Sequence, residues 1–99
     1  MAPTLAQKMA EERRGFLLTT LAEAPSYRSN ERLLQDVLED VGLHCSRDQV
    51  RGDLSWLRDQ GLLLVNEIAG VMVAEITQGG LDVGKGRIRV PGVARPGPG

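Results

Sequence analysis

The sequence is poor in the residue types that mark several classes of protein. Its 99 residues include one cysteine, one Trp, one Tyr and one Phe. A single cysteine cannot form an internal disulfide, which predicts a protein of a reducing compartment. With so few aromatic rings, the core of this single small domain must be built mainly from Leu and Val.

Long apolar runs and an excess of basic charge are also absent. No run approaches the roughly 20 apolar residues that span a bilayer, and the N-terminus is polar, so we expect a soluble cytoplasmic protein. The net charge of −1 excludes a positive field over the whole surface. The charge is unevenly spread, because 31–42 is mostly acidic and 82–99 mostly basic.

Apolar periodicity and cap residues predict three helices, a hairpin and a short fourth helix. Ser46 and Gln49 fit a capping box, and Gly42 and Gly61 suit helix ends. In chain order the predicted elements are a helix from Pro3 to Ala24, a helix from Glu31 to Gly42, a helix over 46–60, a hairpin with strands Leu62–Glu67 and Val71–Ile76, and a short helix near 78–86. The segment 25–30 is predicted to be a loop.

Composition divides the chain in two. We expect a domain over 1–86 and a basic tail rich in Pro and Gly over 87–99. Such a tail is mobile or lies as an arm on a partner.

Two stretches carry a resemblance to known proteins. "SRDQVRGDLSWLRDQGLL" followed by "VAEITQGGLDV" resembles the winged-helix pattern of ArsR-like and MarR-like regulators. The whole chain is more similar to a small family of uncharacterised proteins from Mu-like phages and prophages. The resemblance implies a mainly α fold with a small β-hairpin: a winged helix-turn-helix with a three-helix core, a two-stranded wing and a short C-terminal helix. It also implies a bacterial host cytosol.

The third predicted helix has the geometry of a DNA-reading helix. With Arg47 at zero on a helical wheel, Arg58 falls at about 20° and Arg51 at about 40°. Asp48 and Asp59 lie farther round, at about 100–120°. Arginine on such a face can contact guanine in the major groove, and a helix N-terminus can receive a phosphate. The residues predicted to contact DNA here are Ser46, Arg47, Gln49, Arg51, Ser55 and Arg58.

An alternative explains the same helix without DNA. Arg and Asp at three- and four-residue spacing also pair with each other on a solvated face. The wing adds nothing to the DNA case, because Asn66 and Glu67 lie near its tip and no basic residue stands between Gly61 and Gly84. The basic residues after it, Lys85, Arg87 and Arg89, are predicted to contact phosphates. The alternative for them is a solubilising terminus.

The first predicted helix is a candidate for self-association. In the winged-helix dimers that the chain resembles, the first and last helices often form the interface, which implies a homodimer. The implied interface residues are Leu5, Met9, Phe16 and Leu17. The alternative is that Phe16, Leu17 and Leu21 belong to the core, which leaves only Leu5 and Met9 for an interface. Trp56, at about 180° on the wheel, is either a partner contact or packs under a neighbouring loop of the same chain.

Catalytic and metal-binding patterns are missing. His44 and Cys45 are adjacent, but a zinc site needs about four ligands, and the chain has no second His or Cys. We therefore expect no enzyme activity, no cofactor and no metal. The sequence leaves two hypotheses. The first is a phage or prophage transcriptional regulator or accessory protein that binds double-stranded DNA through 46–60. The second is a winged-helix module for protein–protein interaction that binds no nucleic acid.

Overall fold

A computed structural model describes residues 2–96. It contains four helices, one 3-10 turn and a three-stranded sheet. The elements are α1 (Leu5–Glu23), the 3-10 turn Pro25–Tyr27, β1 (Arg28–Asn30), α2 (Glu31–Asp40), α3 (Arg47–Asp59), β2 (Leu63–Ile68), β3 (Val71–Ile76) and α4 (Gln78–Gly84).

The predicted fold class is confirmed. The sheet has the antiparallel order β1–β3–β2. Strands β2 and β3 form the wing hairpin, whose two-residue turn is Ala69-Gly70. Both turn residues have positive φ, 53° and 78°, which matches the turn to the right-handed twist of the strands. The order of helix, strand, two helices and hairpin is that of a winged helix.

The strand β1 is the element that sequence patterning missed. It has only three residues, too few to show an alternating pattern. It follows a turn in which Ser26 and Tyr27 have φ of 57° and 58°. Pairing with β3, from Arg28 opposite Glu75 to Asn30 opposite Val73, makes this segment a strand. The loop predicted at 25–30 is thus a turn plus an edge strand.

Side-chain caps explain where the main helices begin. The predicted capping box of α3 is confirmed, since Ser46 Oγ accepts from Gln49 N at 3.1 Å and Gln49 Oε1 accepts from Ser46 N at 2.9 Å. A second capping box, Thr4 with Gln7, starts α1. Asn30 Oδ1 caps α2 by accepting two backbone N–H groups.

Leucine dominates the core, as expected. Most of the buried apolar side chains come from the three long helices and from the inner face of the sheet, and Cys45, Leu62 and Val83 of α4 complete the core. The whole set is Leu17, Leu18, Leu21, Leu34, Leu38, Cys45, Val50, Leu54, Leu57, Leu62, Leu63, Ala74, Ile76 and Val83.

Residues 87–96 are packed on the domain, in contrast to the mobile or partner-bound tail expected from composition. Val90 and Val93 contact the core, and Ala94 N donates to Glu11 O of α1 at 3.1 Å. Gly92, with φ of 95°, lies against the Trp56 ring so closely that a Cβ there would be 2.6 Å from it. The predicted tail residues 97–99 lie outside the described residues.

Candidate interaction surfaces of the winged helix

A buried carboxylate joins α2, α3 and the wing. Glu31, the first residue of α2, is 1% exposed. Its Oε2 accepts from Met72 N at 2.8 Å and from Arg51 Nη1 at 2.7 Å. Its Oε1 accepts from Arg47 Nε. Two of the three arginines on the predicted DNA-reading face are therefore bound to a carboxylate of the same chain.

The same arginines also hold the tip of the wing. Arg47 Nη2 donates to Gly70 O at 2.8 Å, and Arg51 Nη2 donates to Glu67 Oε1 at 2.7 Å. Two guanidinium groups thus face two carboxylates, and their charges cancel. We call Glu31, Arg47, Arg51 and Glu67 the wing cluster. It fixes the hairpin against α3 and leaves no surplus positive charge there.

Glu31 and Arg51 keep their charges near neutral pH. Burial raises the pKa of Glu31, but hydrogen bonds from the Met72 backbone and from Arg47, together with both arginine charges, bring this pKa below its usual value. The hydrogen bond to Glu67 raises the pKa of Arg51. Arg51 therefore keeps its charge, which Glu31 and Glu67 neutralise locally.

The other predicted DNA-contacting residues of α3 are spread over its surface. Ser46 and Gln49 are exposed, but the side chain of each accepts a hydrogen bond from the backbone N–H of the other in the capping box of α3. Ser55 is half-buried. The Arg58 side chain is 47% exposed and lies 3.2 Å from Asp59. The face that remains open on α3 thus carries acidic as well as basic groups.

The predicted phosphate-contacting residues beyond α4 are exposed. Lys85, Arg87 and Arg89 all lie on the surface. Arg87 Nη1 lies 3.2 Å from Asp82 Oδ1. These three residues follow the short helix and are separate in sequence from the wing cluster.

A second ion pair anchors α3 from the side opposite the wing. Arg13 Nε of α1 donates to Asp53 Oδ2 at 2.6 Å, and both side chains are buried. Arg14 lies 3.4 Å from the same carboxylate, stacks 4.2 Å from the Trp56 ring and donates to Gly92 O. Trp56 therefore packs within the chain. The sequence carries no sign of this role for Asp53, because an Asp that faces the core looks like one more surface charge in a helical pattern.

The four residues predicted for a dimer interface separate into two groups. Leu17 is 1% exposed and belongs to the core, so it cannot contact a partner. Leu5 is 74% exposed, Phe16 is 38% exposed and Met9 is half-buried. These three lie within about 40° of one another on the wheel of α1. A groove of about 580 Å³ runs beside Phe16, between α1 and residues 94–96.

The outer face of the sheet is a further apolar surface. On β2, Leu64 is 58% exposed and Ile68 is 56% exposed. They stand opposite Glu75 and Val71 of β3, and Val71 and Val73 are half-buried. Sequence patterning placed these residues in the hairpin but did not single out the face.

The His44-Cys45 pair has no geometry for chemistry. Cys45 is buried, and burial raises the pKa of its thiol. The His44 side chain is exposed, with Nδ1 3.0 Å from Glu39. Across residues 2–96, no three or more His, Cys, Asp or Glu side chains gather as a metal site would require. In the same part of the chain, no helix has the length and apolarity to cross a bilayer.

The element order, the sheet order and the junction between α3 and the hairpin define a winged-helix protein. Comparison with known sequences adds its family. The "Uncharacterized protein gp26" of Escherichia phage Mu is 42% identical over 90 residues, covering 91% of this chain and 93% of that protein. An "Uncharacterized protein" of Haemophilus influenzae (strain ATCC 51907 / DSM 11121 / KW20 / Rd) is 40% identical over 89 residues, covering 84% of this chain and 86% of that protein.

The chain belongs to the family of these two proteins, one of which is a phage protein. The expected similarity to Mu-like phage proteins is confirmed. No family profile matches the chain. No solved structure matches it either.

Proposed function

We propose that this chain is a non-enzymatic winged-helix module for protein–protein interaction, working in the host cytoplasm during phage or prophage development. The observation that carries the proposal is the neutralised wing cluster. A DNA-reading helix presents arginines to guanine edges and phosphates. Here Arg47 and Arg51 are bound to Glu31, Glu67 and the Gly70 carbonyl.

The remaining surface supports the same proposal. The net charge is −1, and Asp48 and Asp59 lie on the exposed side of α3. Carboxylates close to a phosphate backbone weaken binding to it. Exposed apolar side chains instead occur on α1 and on the outer face of the sheet, where Leu5, Leu64 and Ile68 are each more than half exposed. Clustered apolar exposure is typical of protein-binding surfaces.

Self-association is part of this proposal. The resemblance to winged-helix dimers implies an interface on α1, for which Leu5, Met9 and Phe16 are available. They would bury the apolar stripe that α1 leaves exposed. The outer sheet face is the second surface open to a copy or to another protein.

The experiment places a photo-crosslinking amino acid at single sites in a host cell that carries the phage. Leu64 on the sheet and Gln49 on α3 are both exposed, and they serve as matched positions. We expect crosslinks from position 64 to protein and none from position 49 to DNA. DNA adducts at position 49 without protein adducts at position 64 would contradict the proposal.

DNA binding is the second candidate function, as a transcriptional regulator or accessory protein. It is favoured by the Arg47 side chain, which keeps 55% exposure while held at Glu31, and by the exposed Lys85, Arg87 and Arg89. Arg47 would then contact DNA, and Glu31 would hold its side chain in position. A homodimer would place two α3 helices about 34 Å apart on a duplex.

Fluorescence anisotropy at two salt concentrations separates the two candidates, because phosphate contacts weaken steeply with salt. The probes are a random duplex and DNA upstream of the gene. We expect no binding at low salt. Salt-sensitive binding that an Arg47→Ala variant removes and an Arg32→Ala variant keeps would establish DNA binding through α3. Arg32 is an exposed arginine on α2 and is the control.

A further inference from the structure

We infer that β2 is an assembly edge, at which a second copy of this chain adds antiparallel so that the two three-stranded sheets join into one. This inference deepens the proposed interaction module by naming one partner and its binding site. It does not depend on the exposed stripe of α1.

The backbone of β2 is open on one side. In the order β1–β3–β2, β2 is an edge strand of six residues. The tight turn at Ala69-Gly70 makes Ile68 and Val71 a hydrogen-bonded pair. Alternation then directs the N–H and C=O groups of Val65 and Glu67 away from β3. Apart from the strand ladder, no backbone hydrogen bond found within residues 2–96 involves Val65 or Glu67.

This edge lacks the usual protection against pairing. Natural edge strands carry Lys, Pro or a bulge that blocks another strand. The β2 sequence "LLVNEI" has neither Lys nor Pro, and its register with β3 is one-to-one without a bulge. Its single charge, Glu67, is paired with Arg51 at 2.7 Å. An open edge with exposed Leu64 and Ile68 is a strand-addition site.

The edge is complementary to itself. With Asn66 on the two-fold axis, Val65 of one copy lies opposite Glu67 of the other, and their outward N–H and C=O groups form hydrogen-bonded pairs. On the outer face, Leu64 then lies opposite Ile68 of the second copy, and the two Asn66 side chains meet. Apolar side chains cover apolar side chains, as a symmetric interface requires.

The charges near the edge allow this pairing. Each Glu67 remains with its own Arg51, so joining two copies buries no uncompensated carboxylate. The α1 stripe, which the resemblance to winged-helix dimers implies as an interface, is less suited to self-pairing than this edge. Glu12 lines the groove beside Phe16, and on the wheel it lies about 20° from Leu5 and about 40° from Phe16 on the exposed face. A second copy there would bring two glutamates together.

The test is disulfide trapping in a Cys45→Ala background, which removes the natural thiol. Residues facing each other across the axis in a non-hydrogen-bonded pair have Cα atoms about 4.5 Å apart, within the range a disulfide accepts. We expect Asn66→Cys to form a covalent dimer in mild oxidant. Leu64→Cys alone should remain monomeric, but an equimolar mixture of Leu64→Cys and Ile68→Cys copies should cross-link. Glu75→Cys, exposed on the neighbouring strand, is the control that stays uncrosslinked.

Light scattering after gel filtration gives the independent readout. The native chain should have twice the 10.7 kDa protomer mass, and Leu64→Lys should shift the mass to that of one protomer. Leu33→Lys, at a 56% exposed leucine on α2, should leave the dimer intact. Circular dichroism checks that both variants fold.

Two outcomes would overturn the inference. A native chain that is monomeric at every concentration would refute the assembly edge. The photo-crosslinking experiment would still test the interaction module separately. A dimer that Leu5→Lys dissociates, and that Asn66→Cys does not trap, would move the interface to α1.

Discussion

Removing the Glu31 carboxylate tests whether the wing cluster is structural. In a Glu31→Ala variant, Arg47 and Arg51 lose their shared acceptor, and Met72 N–H is left without its partner. These three groups come from α3 and from the wing. We therefore expect a loss of global stability together with looser packing of the hairpin on α3.

The expected cost follows from the burial of the partners. Breaking a buried ion pair by deleting one member costs about 3–5 kcal/mol. Glu31 is 1% exposed, but the Arg47 side chain is 55% exposed and regains water when Glu31 is removed. The lower end of the range is therefore expected, about 3 kcal/mol. This is a large part of the roughly 5–15 kcal/mol that stabilises an ordinary domain.

Urea unfolding followed by circular dichroism and by Trp56 fluorescence measures this cost. Glu67→Ala is the matched control. It also removes a hydrogen-bond acceptor of Arg51, but the Glu67 side chain is 53% exposed. An exposed pair is worth about 0.2–1 kcal/mol. The reasoning is refuted if Glu31→Ala lowers the free energy of unfolding by no more than Glu67→Ala does, because the buried carboxylate would then contribute no more stability than the exposed one.

Three more predictions use the same unfolding assay. The folded pKa of Glu31 lies below its unfolded value of 4.5, so its contribution to the free energy of unfolding is complete well above pH 4.5 and is lost as pH falls through the folded pKa. A Glu31→Gln variant should lack this part of the acid dependence. Identical acid profiles for the variant and the native chain would count against this prediction. Gly92→Ala should lower the free energy of unfolding by about 1–3 kcal/mol and alter the fluorescence emission of Trp56. The reason is that the added Cβ would lie 2.6 Å from the Trp56 ring and that φ at Gly92 is 95°. An unchanged emission spectrum would show that the ring does not hold the C-terminal segment. Gly52→Ala should raise the free energy of unfolding by about 0.5–1 kcal/mol, since nothing lies within 4 Å of the added Cβ. A loss of stability would show that α3 contacts another surface at Gly52.

Local sequence signals predicted most of the fold. Period and caps placed the three long helices to within a few residues. The two β-rich runs, Leu62–Glu67 and Val71–Ile76, placed the hairpin, because strands that are joined by a short break in the pattern pair with each other. Each of these signals acts over a few neighbouring residues, which is why a single sequence is enough to find it.

The candidate site was less predictable. The wheel grouped Arg47, Arg51 and Arg58 on one side of α3, but it could not show what Arg47 and Arg51 would contact. Glu31 lies 16 residues from Arg47 and 20 from Arg51 in the chain. The helical pattern of α2 gave no sign that this glutamate, rather than a leucine, would be buried beside α3.

The helices, the hairpin, the leucine core and the capping of α3 follow from the sequence alone, because these features depend on neighbouring residues and on apolar spacing. Only the folded chain shows that 28–30 is a strand, that the segment 87–96 packs on Trp56, and that two arginines of α3 are bound inside the chain. These features arise from contacts between residues far apart in sequence. The pairing energy of β3, the shape of the Trp56 face and the buried charge of Glu31 exist only after the chain has folded.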